Sequence, residues 1–293
     1  MKKTKYIISL IITFCSFSIY AQIESGVYQN ADSNKPLNGK MKSYYANKQL
    51  AEEMTLVNGK KEGVNKEYYS TGKLKQERTY KNHKVNGALN KYYSNGKLER
   101  SSNYINGLED GVSKSYLEDG TLNNELSYKN GLLNGVSKEY LDGALLSKNT
   151  YIQNKLEGEA YYYHPNGKVN VKSLYRNDKK EGLEMVYAEA GTPLEYNYYT
   201  QGKRDGQRKV FNTKGNPVLE SNYKNGVLEG EYKQYVAADL YIRRIFVNGY
   251  EIDRPTLHNA KGKLIDTTDI IYKRVYEPLV IKGLENFNPE DYE

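Results

Sequence analysis

A lysine stands three residues after a recurring glycine at Lys42, Lys66, Lys114, Lys138, Lys209 and Lys233, with an aromatic two residues further on. Tyrosine rings beside ammonium groups could hold an anionic polymer, a glycan or an acidic protein surface, using ring faces and charge together. The candidate partner-binding set is Lys66, Tyr68, Tyr92, Lys114, Tyr116, Lys138, Tyr140, Tyr163 and Tyr187. A plainer reading lays the lysine stems over the rings, where they keep a sheet soluble. A second group is acidic: Glu62, Asp110, Glu157, Glu181, Asp205 and Glu229 each precede one of the glycines. Equivalent residues two strands apart sit ~9.6 Å from one another, too far to share a cation whose oxygen ligands lie at ~2.4 Å. Turn chemistry is their expected role, with a weak ion-binding edge as the alternative. His83, His164 and His258 are far apart in the chain and read as turn or surface residues. Metal-ligand spacings, phosphate-binding glycine loops and nucleophile motifs are missing from the sequence. The chemistry expected is binding and not catalysis, with no cofactor and no metal.

These residues are placed by a repeat. Glycines recur at 39, 63, 87, 111, 135, 158, 182, 206 and 230, every step being 24 residues except the 23 from Gly135 to Gly158. A second glycine follows nine positions later (Gly72, Gly96, Gly120, Gly167, Gly191, Gly215), with Gly143 one position early. A third comes twenty positions on, where His83, Asn154 and Asp178 are substitutes. Fixed-period self-similarity marks a repeat architecture. Five positions after the leading glycine all nine units carry an aromatic, from Tyr44 and Tyr68 to Phe211 and Tyr235. A turn such as Ser94-Asn95-Gly96-Lys97 follows. The next segment starts near Leu50, Leu74, Leu98 or Leu122 and ends near Tyr80, Tyr104, Tyr128, Tyr151, Tyr175, Tyr199 or Tyr223. Tyrosine-rich stretches between Gly/Asn turns read as strands. Strict alternation puts Leu74, Gln76, Arg78 and Tyr80 on one face, opposite Lys75, Glu77 and Thr79. That reading predicts a tyrosine and leucine face with a solvated back.

The pattern Tyr92-Tyr93-Ser94-Asn95-Gly96-Lys97-Leu98, closing with Tyr128-Lys129-Asn130-Gly131, resembles bacterial MORN repeats of the Tyr-Tyr-x-Asn-Gly-Lys-Leu variety. The resemblance runs from 39 to about 249, and the unit at 230 decays, with Asp239 and Tyr241 in place of glycine and leucine. It implies an all-β, elongated single-layer antiparallel meander of about nine β-hairpin repeats, twisted, with end caps. Relatives labelled YwqK-type antitoxins imply, as an alternative, an immunity-type protein that neutralises a partner toxin by binding. The family name also suggests peripheral membrane contact.

Outside the repeats the chain divides into residues 1–21, 22–38 as an N-terminal cap, and 250–293 as a C-terminal cap with an acidic tail. Lys2, Lys3 and Lys5, the apolar run Tyr6 to Phe17, and Ala21 before Gln22 form the pattern of a secretory signal peptide. The expected location is therefore outside the cytoplasm, after cleavage near Ala21-Gln22. Lipidation at Cys15, the single cysteine, is the alternative, although Phe14 stands where such a site wants a small residue. Without the leader the charge falls from +7 to +4, with 40 Lys+Arg against 36 Asp+Glu. This mild excess is unlike a nucleic-acid binder, so the partner expected is an unidentified protein or glycan. The 31 tyrosines beside five phenylalanines and no tryptophan leave little for an aliphatic core. Stability must come from tyrosine packing and cross-strand pairs summed along a stack.

Overall fold

The computed structural model describes residues 11–14, 17–24, 27–30 and 35–265. The Asp269–Tyr276 segment, expected as a closing strand or helix, lies outside them, as do Cys15 and the acidic tail. The described residues contain strands and turns and no helix. They fall into two bodies, one ending at Lys203 and one starting at Arg204.

In the first body Ile11–Phe14, Phe17–Glu24 and Val27–Asn30 form a separate three-stranded antiparallel sheet. The repeats follow as an antiparallel meander in which each unit is a hairpin. Gly63–Tyr68 pairs with Leu74–Lys81, Gly111–Tyr116 with Leu122–Lys129, and Gly158–Tyr163 with Val169–Arg176. Each second strand then pairs with the first strand of the next unit, as Glu53 does with Lys66 and Glu125 with Lys138.

Two turn chemistries alternate. Within a hairpin, Tyr93 N donates to Lys97 O and Gly96 N donates to Tyr93 O. This is a three-residue loop whose glycine takes φ +94, a type I turn closed by a glycine bulge. Asn95 fixes it by accepting from Lys97 N at 2.8 Å. Between hairpins, both central residues have positive φ, as in Asn130 (51°) and Gly131 (78°). That is the mirror-image turn whose twist suits a hairpin. His83, Asn154 and Asp178 hold the same left-handed conformation in the slots where glycine is replaced. The 23-residue unit is explained by its loop. Leu141 pairs directly with Ala144 around Asp142 and Gly143, both at positive φ, so a two-residue turn replaces the three-residue one.

Register assigns the faces, because directly opposed residues in an antiparallel pair project to the same side. Gly63, Asn65 and Glu67 oppose Tyr80, Arg78 and Gln76, while Lys66 and Tyr68 oppose Glu77 and Leu74. The register shifts between Glu67 and Tyr68, with Lys75 as the extra residue. Such a bulge inverts the alternation. It corrects the strict-alternation reading: Leu74 lies on the lysine face and Tyr80 on the glycine face. The tyrosines therefore form two columns on opposite sides of the sheet.

On the glycine face, second-strand tyrosines lie across from leading glycines, as in Gly111↔Tyr128, Gly158↔Tyr175 and Gly182↔Tyr199. The ring covers backbone that a glycine leaves bare. Burial pushes the Tyr128, Tyr151 and Tyr175 hydroxyls up. Beside this row runs the buried one, and most of it is small and polar: Asn65, Ser102, Ser113, Ser137, Asn149, Ala160, Ser173 and Asn197. The solvated face expected opposite the tyrosines is thus not the face that carries these serines and asparagines. Apolar burial concentrates at the start, where Leu37, Met41, Met54 and Leu56 cluster with Tyr28. Tyr28 N donates to Gly59 O, and Gly59 N to Leu37 O, so residues from the expected N-terminal cap seal the first hairpin.

The second body, which takes all of the strand Lys203–Phe211 except Lys203, repeats the scheme through Pro217–Lys224, Gly230–Ala237 and Leu240–Val247. Within the expected C-terminal cap, Thr256–Asn259 adds a strand to Leu240–Val247. His258 stacks on the buried Tyr241 at 5.4 Å.

Candidate functional site

The lysine face of the first body carries one unbroken row of opposed residues. It runs Lys42, Glu53, Lys66, Glu77, Asn90, Ser101, Lys114, Glu125, Lys138, Lys148, Tyr161, Lys172 and Met185, each opposite the next. A parallel row holds the aromatics, each across from an apolar residue: Tyr68↔Leu74, Tyr92↔Leu98, Tyr116↔Leu122, Tyr140↔Leu145, Tyr163↔Val169 and Tyr187↔Pro193. All nine candidate residues therefore share one face, in two adjacent rows.

The lysines are not bare. Lys66 Nζ lies 3.5 Å from Glu77, Lys114 lies 2.7 Å from Glu125, and Lys138 lies 3.0 Å from the same carboxylate. Hydrogen bonds from Lys114 and then Lys138 hold the Glu125 carboxyl down at about 2. Glu125 bonds in turn hold both lysines above their usual range. Burial raises the Tyr68 and Tyr140 hydroxyls, with the nearby Glu53 and Glu125 charges adding to it. The face is thus a zwitterionic ladder beside an aromatic one, and not a cationic stripe. Lys148 and Lys172 sit 5.9 and 5.4 Å from the Tyr161 ring centroid, Lys172 also pairs with Glu159 at 2.8 Å, and Tyr161 stacks near Tyr163 at 6.3 Å.

The carboxylates before the glycines are used inside the stack. Glu62 accepts from Asn82 N at 2.8 Å, Glu157 from Asn177 N at 2.9 Å and Glu181 from Gln201 N at 2.9 Å. Each caps the turn that joins the hairpin it precedes to the next one, where the left-handed residue has an otherwise unmet amide. In the second body Asp205 and Glu229 do the same for Asn225 and Asn248. The histidines are also structural. His164 Nε2 donates to Tyr187 O at 2.8 Å, and His83 Nδ1 accepts from Lys61 N at 3.3 Å.

Sequence reasoning passed over a set of tyrosines one residue beyond the aromatic column. Tyr45, Tyr69 and Tyr93 donate their hydroxyls to Tyr68 O, Tyr92 O and Tyr116 O at 2.6–2.7 Å. Each bolts one hairpin to the next, and His164 takes this position later. The signal was the doubled tyrosine in the motif. It also did not pair the lysines with Glu53, Glu77 and Glu125, each eleven residues after a repeat lysine and across the hairpin from it.

Six segments match the family described as a MORN repeat variant: residues 37–58, 61–82, 86–106, 109–130, 156–177 and 204–225. No curated protein matches the chain. Among solved structures, the crystal structure of TcdB2-TccC3-TEV aligns with 85% of this chain at 12% identity and a TM-score of 0.19. This chain spans 14% of that one.

Proposed function

Because the chain belongs to the MORN repeat family, we propose that it is a non-enzymatic interaction scaffold whose lysine face receives a partner protein or glycan. One observation carries the reading: the aromatic row and the Lys/Glu row continue in register from hairpin to hairpin. A partner meets a periodic strip of ring faces flanked by alternating charge. Such a strip suits a polar protein surface or a chain of hydroxyl-bearing rings better than a polyanion, since Glu53, Glu77 and Glu125 offset the lysines. Aromatic anchors ringed by polar groups are the usual energetic centres of an interface. The N-terminal charge and apolar pattern supports export, and purified envelope protein should begin at Gln22.

The test is affinity capture of envelope components by the mature chain and by a variant with Tyr92, Tyr116 and Tyr140 changed to leucine. Leucine keeps an apolar contact with Leu98, Leu122 and Leu145, so strand content should survive. Capture is expected to fall at least tenfold. Equal capture by a folded variant would remove the lysine face from consideration.

A further inference from the structure

The aromatic row on the lysine face sets a length scale. Seven tyrosines from Tyr44 to Tyr187 stand on every second strand of the first body. Neighbouring strands lie ~4.8 Å apart, so the rings repeat at ~9.6 Å. Tyr44 is exposed and the others are half-buried. Tyr140 Oη donates to Glu125 on the neighbouring strand at 3.3 Å, and Tyr68 makes the same approach to Glu53. A ring tethered sideways in this way lies down on the sheet, one face inward and one toward solvent. Tyr163 runs nearly parallel to Tyr161, at 23° and 6.3 Å, which widens the platform. Among the described residues, the cations over rings in this body cover Tyr28, Tyr69, Tyr80, Tyr161 and Tyr199 and leave the row itself uncovered.

A β-1,4-linked pyranose chain turns each sugar half a revolution from the last. Its axial C–H face therefore recurs once per disaccharide, at about 10 Å, and that face suits the negative face of an aromatic ring. An extended polypeptide repeats its side chains at ~6.8 Å and does not keep step with the row. A helix repeats over seven residues at ~10.5 Å, but it needs a groove for its apolar ridge, whereas these strands lie side by side in one sheet. The adjoining row completes the match to a sugar. Lys66 with Glu77, and Lys114 with Glu125, set a donor beside an acceptor. A hydroxyl donates and accepts at once, so it meets both. Between the rings stand Leu74, Leu98, Leu122 and Leu145. An acetamido methyl gains an apolar contact there, while its N–H and carbonyl face the same carboxylates and ammonium groups.

Resting on the scaffold reading, we propose that the lysine face binds a single β-1,4-linked chain of N-acetylated amino sugars, one disaccharide to each hairpin. Strands rotate by roughly 20°, hence successive rings by about 40°. A free chain follows that turn through its linkage torsions, and a flat crystal face does not.

The experiment titrates the mature chain with the dimer, tetramer and hexamer of β-1,4-linked N-acetylglucosamine. Cellohexaose lacks the acetamido groups, and maltohexaose has α-linkages that coil the chain. Heat of binding and tyrosine fluorescence are followed. Each added disaccharide engages one more ring and should tighten binding by about five- to tenfold. Cellohexaose should bind more weakly than the N-acetylated hexamer, and maltohexaose no better than the dimer. Changing Tyr44, Tyr92, Tyr140 and Tyr187 to leucine leaves no two neighbouring rings in the row, and hexamer affinity should fall at least tenfold. Should that variant lose its strand signal, the length and linkage series on the unaltered chain decides alone. Failure of the hexamer to bind, no gain with length, or equal binding of cellohexaose or maltohexaose overturns the proposal. Ring-dependent capture of an envelope protein without sugar binding would also overturn it while leaving the scaffold reading in place.

Discussion

Glu125 is the residue on which two kinds of pairing converge. It opposes Lys114 within its hairpin and Lys138 in the next, at 2.7 and 3.0 Å, and its side chain is 19% exposed. Its carboxyl is pulled from 4.5 to about 2 by those two hydrogen bonds. Fully realised, that depression would be worth roughly 3 kcal/mol. The lysine side chains are 44% and 37% exposed, and solvent screening reduces the contribution to about 1–1.5 kcal/mol. Glu125→Gln should lower the urea midpoint of the mature chain by that amount at pH 7 and low salt. Because the folded carboxyl titrates below the unfolded one, its contribution is complete above about pH 4.5 and is lost as pH falls toward 2. Wild type and variant should therefore converge on acidification, and also in concentrated salt. An unchanged midpoint at neutral pH, or a deficit that persists undiminished at pH 2, refutes the bridging role.

Gly135 holds φ +113, and a Cβ there would meet Ser127 Cβ at 3.1 Å. Gly135→Ala should cost about 1–3 kcal/mol through backbone strain, read as a lower thermal midpoint, whereas an unshifted midpoint would show that the backbone at this position can relax. Tyr69→Phe removes the hydroxyl that bonds Tyr92 O at 2.7 Å, and a loss of about 1 kcal/mol is expected. Hydrogen exchange should speed up at the junction of those two hairpins, and unchanged protection there would count against the bolt.

Hairpin number, turn positions and the shared face of Lys66, Tyr68 and their equivalents could be read from spacing alone, because period and alternation are linear properties of the chain. The placement of Leu74 could not. One unpaired residue, Lys75, reverses which side follows, and no hydropathy pattern marks it. The lysines looked free because their partners are eleven residues distant, a separation that means nothing until the hairpin closes. The histidine at 83 was legible as a turn residue through its slot. The buried polar row was not legible, since Ser137, Ser147 and Asn149 resemble surface residues in composition and become interior only by stacking.

Serine and asparagine in the interior row carry one more implication. A stretched or half-assembled copy of this repeat has little oily surface to display, so it offers few sticky handles to its neighbours or to itself. Melting such hairpins should bring only a modest rise in heat capacity, and a strand torn loose can wait in water without clumping until its register is found again.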